Sequence, residues 1–262
     1  PIFALRKVMD KIDDIRVTEL KNSEYIKPKR LFYKQVCIVG PLLLCPCFRF
    51  LFVINRSLVY WLRLFGFPLP FGTWLDRFWG FVSGRDVVSA VIHNTTRDVL
   101  VFVRQFRPAV YYSQIPAREL ASGAPIDTRK HPGNLGVTLE LCAGILDNKK
   151  LTSAETMREE ILEECGYDVP LANIQRVTSA RAGTIEGAME ELFFAEVTDD
   201  MKKTAGGGLE EQGEMIDVVE LTRAEAKKVL FDDHIMKPAV LLFGVTWFLE
   251  VKSKQQKGFN NV

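Results

Sequence analysis

The alternation of apolar and polar residues along the chain predicts most of its strands. Short apolar runs bounded by turn residues are typical of buried strands. They occur at residues 87–92, 99–106, 137–141, 174–179, 192–197 and 215–221. A weaker alternation over residues 15–35 predicts one or two further strands. The stretch 116–133 is rich in Pro, Gly and charged residues and is interpreted as a loop.

The clearest helix is predicted over residues 153–165. Thr152 and Glu155 have the spacing of a capping box, and Gly166 stands where a helix end favours a left-handed residue. Two further helices are predicted at residues 223–231 and 238–251. Because strands and helices occur in turn along one chain, we expect an α/β sandwich with a mixed sheet.

A segment at residues 36–75 departs from this pattern. Its only charged residues are Arg49, Arg56 and Arg63, and it explains why mean hydropathy reaches +0.03 in a chain that is 26% charged. A membrane-spanning helix needs about 20 predominantly apolar residues, and the most apolar window contains Arg49 and two prolines. We therefore favour an insertion, and keep a membrane-associated segment as the alternative.

The insertion has two interpretations of its own. It is either a lineage-specific addition or intronic sequence read as coding. The first residue is Pro1 rather than Met, which favours the second interpretation. A spliced transcript that still encodes residues 36–75 would contradict it.

Composition and charge exclude several classes of protein. The chain has 262 residues, of which 47% are hydrophobic, so it is neither disordered nor fibrous. Lys and Arg number 34 against 33 Asp and Glu, and the net charge of +1 gives no reason to expect nucleic acid as a partner. The 5 cysteines have no regular spacing, which suits a reducing compartment. With no secretory signal at the start of the sequence, we expect a cytoplasmic location.

A glutamate-rich face of the predicted helix carries the candidate chemistry. Glu160, Glu163 and Glu164 stand at i, i+3 and i+4, so their carboxylates share one side of the helix. Like charges at this spacing repel by about a few tenths of a kcal/mol per pair. A hard divalent cation, Mg²⁺ or alternatively Mn²⁺, would neutralise them and also bind phosphate oxygens. The competing interpretation is an exposed acidic face without a ligand.

The residues around this helix resemble the Nudix box. Residues 144–167 begin with a glycine and end in Glu160-Ile-Leu-Glu-Glu-Cys-Gly-Tyr167, which is similar to the last part of that motif. Two positions differ from it. Leu151 stands where the box has its middle glutamate, and Glu159 stands where it has an arginine. Because that arginine normally pairs with the box glutamates, we expect weaker metal binding than in a relative with the full motif.

Other segments narrow the resemblance to the branch of UDP-glucose and ADP-ribose pyrophosphatases. They are residues 23–28, 104–111, 140–144, 206–219 and 243–249. The likeness covers about residues 15–35 and 78–251. It implies a Nudix α/β/α sandwich with a mixed β-sheet, preceded by a small N-terminal strand region. We therefore expect an N-terminal strand region at 1–35, a hydrophobic insertion at 36–77 and a Nudix hydrolase domain at 78–262.

The resemblance also implies roles for particular residues. The expected metal ligands are the carboxylates of Glu160, Glu163 and Glu164 and the backbone carbonyl around Ala143. The residue that orients or deprotonates the attacking water is expected outside the helix, at Glu211 or Glu214. The residues expected to bind the substrate are Arg104, Arg107 and Glu140, since a guanidinium group can bind phosphate through two hydrogen bonds.

The function implied is Mg²⁺-dependent hydrolysis of UDP-glucose to UMP and glucose 1-phosphate. ADP-ribose is the alternative substrate. A catalytically weak nucleotide-sugar binding protein is the alternative of a different class, because Glu159 and the segment 183–191 differ from the pattern of UDP-glucose pyrophosphatases. Relatives in this branch are commonly dimers, so we expect a homodimer.

Overall fold

The computed structural model describes residues 15–16, 27–37, 73–121, 123–183, 185–209, 211, 214–252 and 254. The chain divides into two compact units. One comprises residues 27–83, and the other comprises residues 1–26 and 84–262.

The smaller unit is a pair of antiparallel strands. β1 (Lys27–Cys37) pairs with β2 (Thr73–Ser83), in a register that runs from Lys27 opposite Ser83 to Cys37 opposite Thr73. β1 agrees with the strand predicted within residues 15–35 and continues two residues beyond it. Residues 38–72 lie outside the described residues, and so does most of the predicted insertion. In the part of the chain that is described, no helix is long and apolar enough to cross a membrane.

The larger unit is built on a mixed sheet of seven strands. Its strands are β3 (Val87–Asn94), β4 (Val99–Phe106), β5 (Val137–Glu140), β6 (Cys142–Ile145), β7 (Ile174–Arg181), β8 (Met189–Val197) and β9 (Ile216–Thr222). The strand order is β5-β4-β3-β8-β7, with β6 also paired to β3 and β9 to β4. β3 and β8 are parallel and the other pairs are antiparallel. The predicted mixed sheet is confirmed.

Helices cover both faces of this sheet. They are α1 (Pro108–Gln114), α2 (Ala117–Leu120), α3 (Ser153–Cys165), α4 (Arg223–Val229) and α5 (Ala239–Trp247), the last continued by a π-helical turn at Phe248–Lys252. On one face α3 buries Met157 and Ile161 against β3. On the other face α4 and α5 pack in a second core that includes Phe102 and Leu241. The unit is therefore an α/β/α sandwich, as predicted.

The ends of α3 follow directly from its sequence. The Thr152 hydroxyl accepts a hydrogen bond from the backbone N–H of Glu155 at 3.3 Å, and the Glu155 carboxylate accepts one from the N–H of Thr152 at 2.8 Å. This is the predicted capping box. At the other end Gly166 has φ of 76°, in the left-handed region that favours glycine. Both ends of the glutamate helix are confirmed.

Three elements differ from the prediction. The stretch 116–133, interpreted as a loop, contains the helical turn α2. The segment after Arg107 forms α1, because Pro108 supplies the backbone angle of a first helical turn, and Tyr111 is buried against Ile115 and Ile126. The strand predicted at residues 137–141 is continued by a second strand. β5 pairs with β4 while β6 pairs with β3, so the chain changes its neighbouring strand between them.

Candidate active site

The candidate residues gather where several strands of the large sheet meet at one edge. The start of β3 lies beside β6, with Val88 opposite Gly144. The second half of β4 lies antiparallel to β5, with Val103 opposite Glu140 and Phe106 opposite Val137. α3 packs over β6 and carries its glutamates to the same edge. Residues that are far apart in sequence are thereby brought together.

Glu160 lies directly over Gly144. A β-carbon at position 144 would collide with the carboxylate group of Glu160, so only glycine leaves room for this side chain. Burial, reinforced by the charges of Glu164 and Glu163, raises the pKa of Glu160 to about 8. The site therefore holds a carboxylate whose charge is poorly compensated by the protein itself.

Glu164 is the second such group and is almost fully buried. Its carboxylate accepts a hydrogen bond from the backbone N–H of Ala143 at 3.0 Å. Burial raises the pKa of Glu164 to about 7, although hydrogen bonds from the Cys142 thiol and from Ala143 act in the opposite direction. The structure therefore brings Glu160, Glu164 and Ala143 together.

Glu163 is less buried than its neighbours. Burial, followed by the charges of Glu214 and Glu159, raises its pKa. Arg158 is engaged away from these carboxylates, since its guanidinium donates to the Val169 carbonyl at 3.0 Å and to Asp168 at 2.9 Å. Glu159 therefore adds negative charge to this helix without a partner in Arg158.

These groups fit a divalent cation in their chemistry. Among the described residues, no three His, Cys, Asp or Glu side chains already lie close enough to form a complete metal site. Glu160 and Glu164 nevertheless offer carboxylate oxygens, the ligands that hard cations prefer. A cation beside them would favour their ionised form and offset the raised pKa values. Such a cation would complete its coordination with water and substrate oxygens.

Arg107 forms a two-point ion pair with Glu140. Its Nε donates to one carboxylate oxygen at 2.8 Å and its Nη2 donates to the other at 2.6 Å. Thr138 donates to the same carboxylate at 2.5 Å and Gln105 at 3.3 Å. Burial alone would raise the pKa of Glu140, but the hydrogen bonds and charge of Arg107 outweigh it and the net pKa is lowered. Glu140 thus fixes the orientation of Arg107.

Arg104 is buried on a different face of the sheet. It stands opposite Leu139 in β5 and Asp217 in β9. Because side chains alternate along a strand, Arg104 shares the face of Phe102, whereas Val103 faces α3. The structure therefore brings Arg107, but not Arg104, to the side of the sheet that holds Glu160 and Glu164.

Of the two late glutamates, the structure places Glu214 nearer to the carboxylate helix. Its charge is among the influences that raise the pKa values of Glu160, Glu163 and Glu164. The Glu214 carboxylate accepts a hydrogen bond from the N–H of Leu209 at 2.9 Å. Glu211 is exposed and does not figure among those influences.

Sequence reasoning named Glu140 but missed that it supports Arg107, and it did not name Thr138 or Gln105. Thr138 and Glu140 lie two positions apart in β5, so they share one face of that strand. This spacing was a usable signal, because a hydroxyl beside a carboxylate on a buried strand is typical of a hydrogen-bonded pair. Gln105 carried no comparable signal, since its role depends on the pairing of β4 with β5. His93 is buried between Asp98 and Phe248.

The fold and these carboxylates define a class of protein, a hydrolase with a glutamate helix set against the mixed sheet of an α/β/α sandwich. Comparison with known proteins then identifies the family. Over 178 residues the chain is 38% identical to the uridine diphosphate glucose pyrophosphatase of Bos taurus, covering 65% of this chain and 80% of the relative. Over 248 residues it is 28% identical to the uridine diphosphate glucose pyrophosphatase of Mus musculus, covering 92% of this chain and 95% of the relative.

A bacterial relative that is also named a pyrophosphatase matches a smaller part of the chain than the mouse protein does. The GDP-mannose pyrophosphatase of Klebsiella pneumoniae is 29% identical over 157 residues, which cover 59% of this chain and 67% of that protein. No family model matches the chain. The chain belongs to the Nudix hydrolases, and the resemblance drawn from the box is confirmed. Enzymes of this family generally use divalent metal ions.

Proposed function

We propose that this protein hydrolyses the pyrophosphate bond of a nucleoside diphosphate sugar in the presence of Mg²⁺, with UDP-glucose giving UMP and glucose 1-phosphate. The observation that carries the proposal is the pair Glu160 and Glu164. Their raised pKa values indicate that the protein itself supplies too little positive charge to stabilise the two ionised carboxylates. The names of the relatives supply the substrate class, since two are uridine diphosphate glucose pyrophosphatases and one acts on GDP-mannose.

Glu160 and Glu164 are the proposed holders of the metal, with Glu163 as a third carboxylate and the Ala143 carbonyl as a further oxygen donor. Mn²⁺ has the same preference for oxygen ligands and is the alternative ion. When bound, the ion supplies positive charge that neutralises phosphate oxygens and lowers the pKa of a coordinated water. The raised pKa values of the two glutamates support this assignment, because a cation favours their ionised form.

Arg107 is proposed to bind the substrate phosphates. Its Nε and Nη2 are held by Glu140, so the guanidinium plane is fixed and Nη1 lies outside that pair. A guanidinium held in this way loses little conformational freedom when it binds a phosphate. Glu140 therefore acts in this proposal by orienting Arg107. Arg104 is buried on the other face of β4 and is given no contact with the substrate in this proposal.

Glu214 is proposed to accept the proton of the attacking water at its carboxylate. A general base must be ionised and must lie close to the water that it activates. Its influence on Glu160 and Glu164 supports that location, and its hydrogen bond from Leu209 holds one of its oxygens. Glu211 is the alternative base on the same loop. Parallel Glu214→Gln and Glu211→Gln variants distinguish them, since only the base variant loses kcat.

Incubation of the purified protein with Mg²⁺ and each of UDP-glucose, GDP-mannose and ADP-ribose tests the activity. We expect release of the mononucleotide, fastest from UDP-glucose. Glu160→Gln and Glu164→Gln should lower kcat by roughly a hundredfold or more, since each removes a metal ligand. Glu191→Gln is the matched control, because Glu191 pairs with Arg176. No mononucleotide from any substrate would contradict the proposal. Binding of a nucleotide sugar without release, measured by calorimetry, would support the binding protein instead.

The proposal includes a homodimer and a cytoplasmic location. The resemblance supports the dimer, and the buried thiols of Cys142 and Cys165, which form no disulfide, suit a reducing compartment. Light scattering after gel filtration tests the dimer, and a monomer mass at micromolar concentration would contradict it. Fractionation of cells tests the location, and recovery in the membrane pellet would favour the alternative of membrane association through residues 36–75.

A further inference from the structure

The C-terminal end of α3 is covered by residues 202–208, which we call the glycine strap. The last turn of a helix leaves backbone carbonyl groups without partners inside the helix. Here the N–H of Gly207 donates to the Glu164 carbonyl at 2.9 Å, and the N–H of Gly208 donates to the Glu163 carbonyl at 3.1 Å. The strap therefore binds the backbone of two glutamates of the box.

The same strap binds the two residues that follow. The Lys202 ammonium group donates to the Cys165 carbonyl at 2.5 Å and lies 4.5 Å from the centre of the Tyr167 ring. The N–H of Lys203 donates to the Gly166 carbonyl at 2.8 Å. Four successive carbonyl groups, from Glu163 to Gly166, thus receive their hydrogen bonds from one short segment.

Close approach of the strap depends on its glycines. Gly206 and Gly208 have φ of +72° and +77°, in the left-handed region that other residues rarely adopt. A β-carbon on Gly206 would collide with the Glu164 carbonyl oxygen. A β-carbon on Gly208 would lie 2.7 Å from a carboxylate oxygen of Glu214. Two of the three successive glycines, Gly206 and Gly208, are therefore explained by close contacts, one with α3 and one with Glu214.

The strap also holds Glu214 from the other side. The N–H of Leu209, the residue after the strap, donates to the Glu214 carboxylate at 2.9 Å, and the Glu214 N–H donates back to the Leu209 carbonyl at 3.2 Å. The N–H of Ile216 donates to the Gly207 carbonyl at 3.1 Å. One segment therefore fixes the backbone beneath Glu163 and Glu164 and, at the same time, the carboxylate of Glu214.

We propose that the glycine strap is a positioning element that sets the distance between Glu214 and the carboxylates of Glu160 and Glu164. The inference rests on the proposed function, because it assigns Glu214 to the proton-transfer step. Gly206 and Lys202 are positioning residues in it, since they act through α3 and Glu214 and not on the substrate. A displaced strap moves Glu214 while leaving Arg107 and Glu140 in place.

Replacement of Gly206 tests the strap, with Gly123 as the matched control. Gly206→Ala places a methyl group against the Glu164 carbonyl. Gly123 has a similar φ of +67° with no heavy atom within 4 Å of an added β-carbon, so Gly123→Ala carries the same backbone strain without a collision. We expect Gly206→Ala to lower kcat by roughly tenfold to a hundredfold, with KM for UDP-glucose nearly unchanged and with Gly123→Ala matching wild type. Equal kcat in the two variants would overturn the proposal.

A double variant tests whether the glycine strap acts through Glu214. If it does, Gly206→Ala combined with Glu214→Gln should be no slower than Glu214→Gln alone, because a misplaced base and an absent base have the same consequence. If the double variant instead loses kcat by the product of the two single effects, the proposal is overturned. Wild-type protein that releases no mononucleotide would instead remove the proposed function, and the positioning role with it.

Lys202 provides a second test that does not depend on folding of the glycine variant. Lys202→Met removes the donor to the Cys165 carbonyl, whereas Lys202→Arg keeps a donor and a cation over Tyr167. We expect kcat to fall in the methionine variant and to recover in the arginine variant, with KM constant. A loss of kcat that arginine does not restore, or a change confined to KM, would overturn the proposal.

Discussion

Glu159 shows how one residue can alter a site that it does not enter. It is exposed, yet its charge contributes to the raised pKa of Glu163. The box arginine that it replaces would have had the opposite effect. In the proposed metal site, the strength of cation binding would therefore depend partly on a residue on the outer surface of the helix.

We expect Glu159→Arg to bind Mg²⁺ about two- to fivefold more tightly than wild type, because a repulsive helical pair becomes attractive. The Mg²⁺ dependence of kcat measures the change. Glu159→Gln removes the charge without reversing it and should fall between the two. Equal Mg²⁺ affinity in all three proteins would show that Glu159, in the position of the box arginine, does not affect metal binding.

Gly144→Ala is expected to be more damaging. The new β-carbon would occupy the place of the Glu160 carboxylate, so that side chain must leave the edge of the sheet. We expect a fall in kcat of roughly a hundredfold together with weaker Mg²⁺ binding. Gly80→Ala is the control, since a β-carbon there meets no heavy atom within 4 Å. Unchanged Mg²⁺ affinity in Gly144→Ala would show that Glu160 is not a ligand.

At the scale of elements, an ionic network ties the opposite edge of the sheet together. Arg97, in the turn between β3 and β4, pairs with Glu220 of β9 and donates to Asp199 at 2.7 Å. Tyr167 and Asn94 hydrogen-bond to the same groups. Hydrogen bonds from Arg97 lower the pKa of Glu220 more than burial raises it. This network joins the start of β4 to the end of β9.

The lowered pKa of Glu220 predicts a stability that depends on pH. Its stabilising effect is complete above the unfolded-state pKa of about 4.3. It is lost as pH falls through the lower pKa of the folded state. Urea unfolding should therefore show a smaller loss of stability between pH 7 and pH 3 in Glu220→Gln than in wild type, by about 1 kcal/mol. Parallel pH profiles of the two proteins would contradict the assignment.

The elements also show what could be predicted from the sequence and why. α3 was predicted to its last residue because Thr152, Glu155 and Gly166 are local signals. α1 was missed because it is short, and because Pro108 is its main local signal while the burial of Tyr111 depends on contacts with distant residues. At the site, the position of Glu160 and Glu164 on one face of the helix could be predicted from their i, i+4 spacing. The separation of Arg104 from Arg107 required the pairing of β4 with its neighbours. The glycine strap required contacts between segments distant in sequence.

At the scale of the whole molecule, the candidate active site is a source of instability. Glu160 and Glu164 have pKa values raised by burial to about 8 and about 7, so ionising them in the folded protein is unfavourable. A group whose folded pKa is raised stabilises the fold at low pH and loses that effect as pH rises through the folded value. Function and stability are therefore opposed at this edge of the sheet.

We expect metal-free Glu164→Gln to be more stable than metal-free wild type at pH 8, by on the order of 1–3 kcal/mol. Urea unfolding in the presence of EDTA measures this difference. It should shrink as pH falls and vanish only below the unfolded-state pKa of about 4.3, where the carboxyl group is protonated in both the folded and the unfolded protein. Saturating Mg²⁺ should reverse the order, since only wild type keeps both ligands. A variant less stable than wild type under all these conditions would contradict the electrostatic account.

The register of β1 and β2 has a consequence for the predicted hydrophobic insertion. Cys37 and Thr73, the described residues on either side of positions 38–72, stand opposite each other in the last pair of the two strands. A connection between two such neighbouring residues can be shortened or replaced, because a change in loop length there alters the free energy of folding only slightly. Joining Cys37 to Thr73 through a two-residue Asn-Gly turn should therefore leave the pairing of β1 with β2 unchanged.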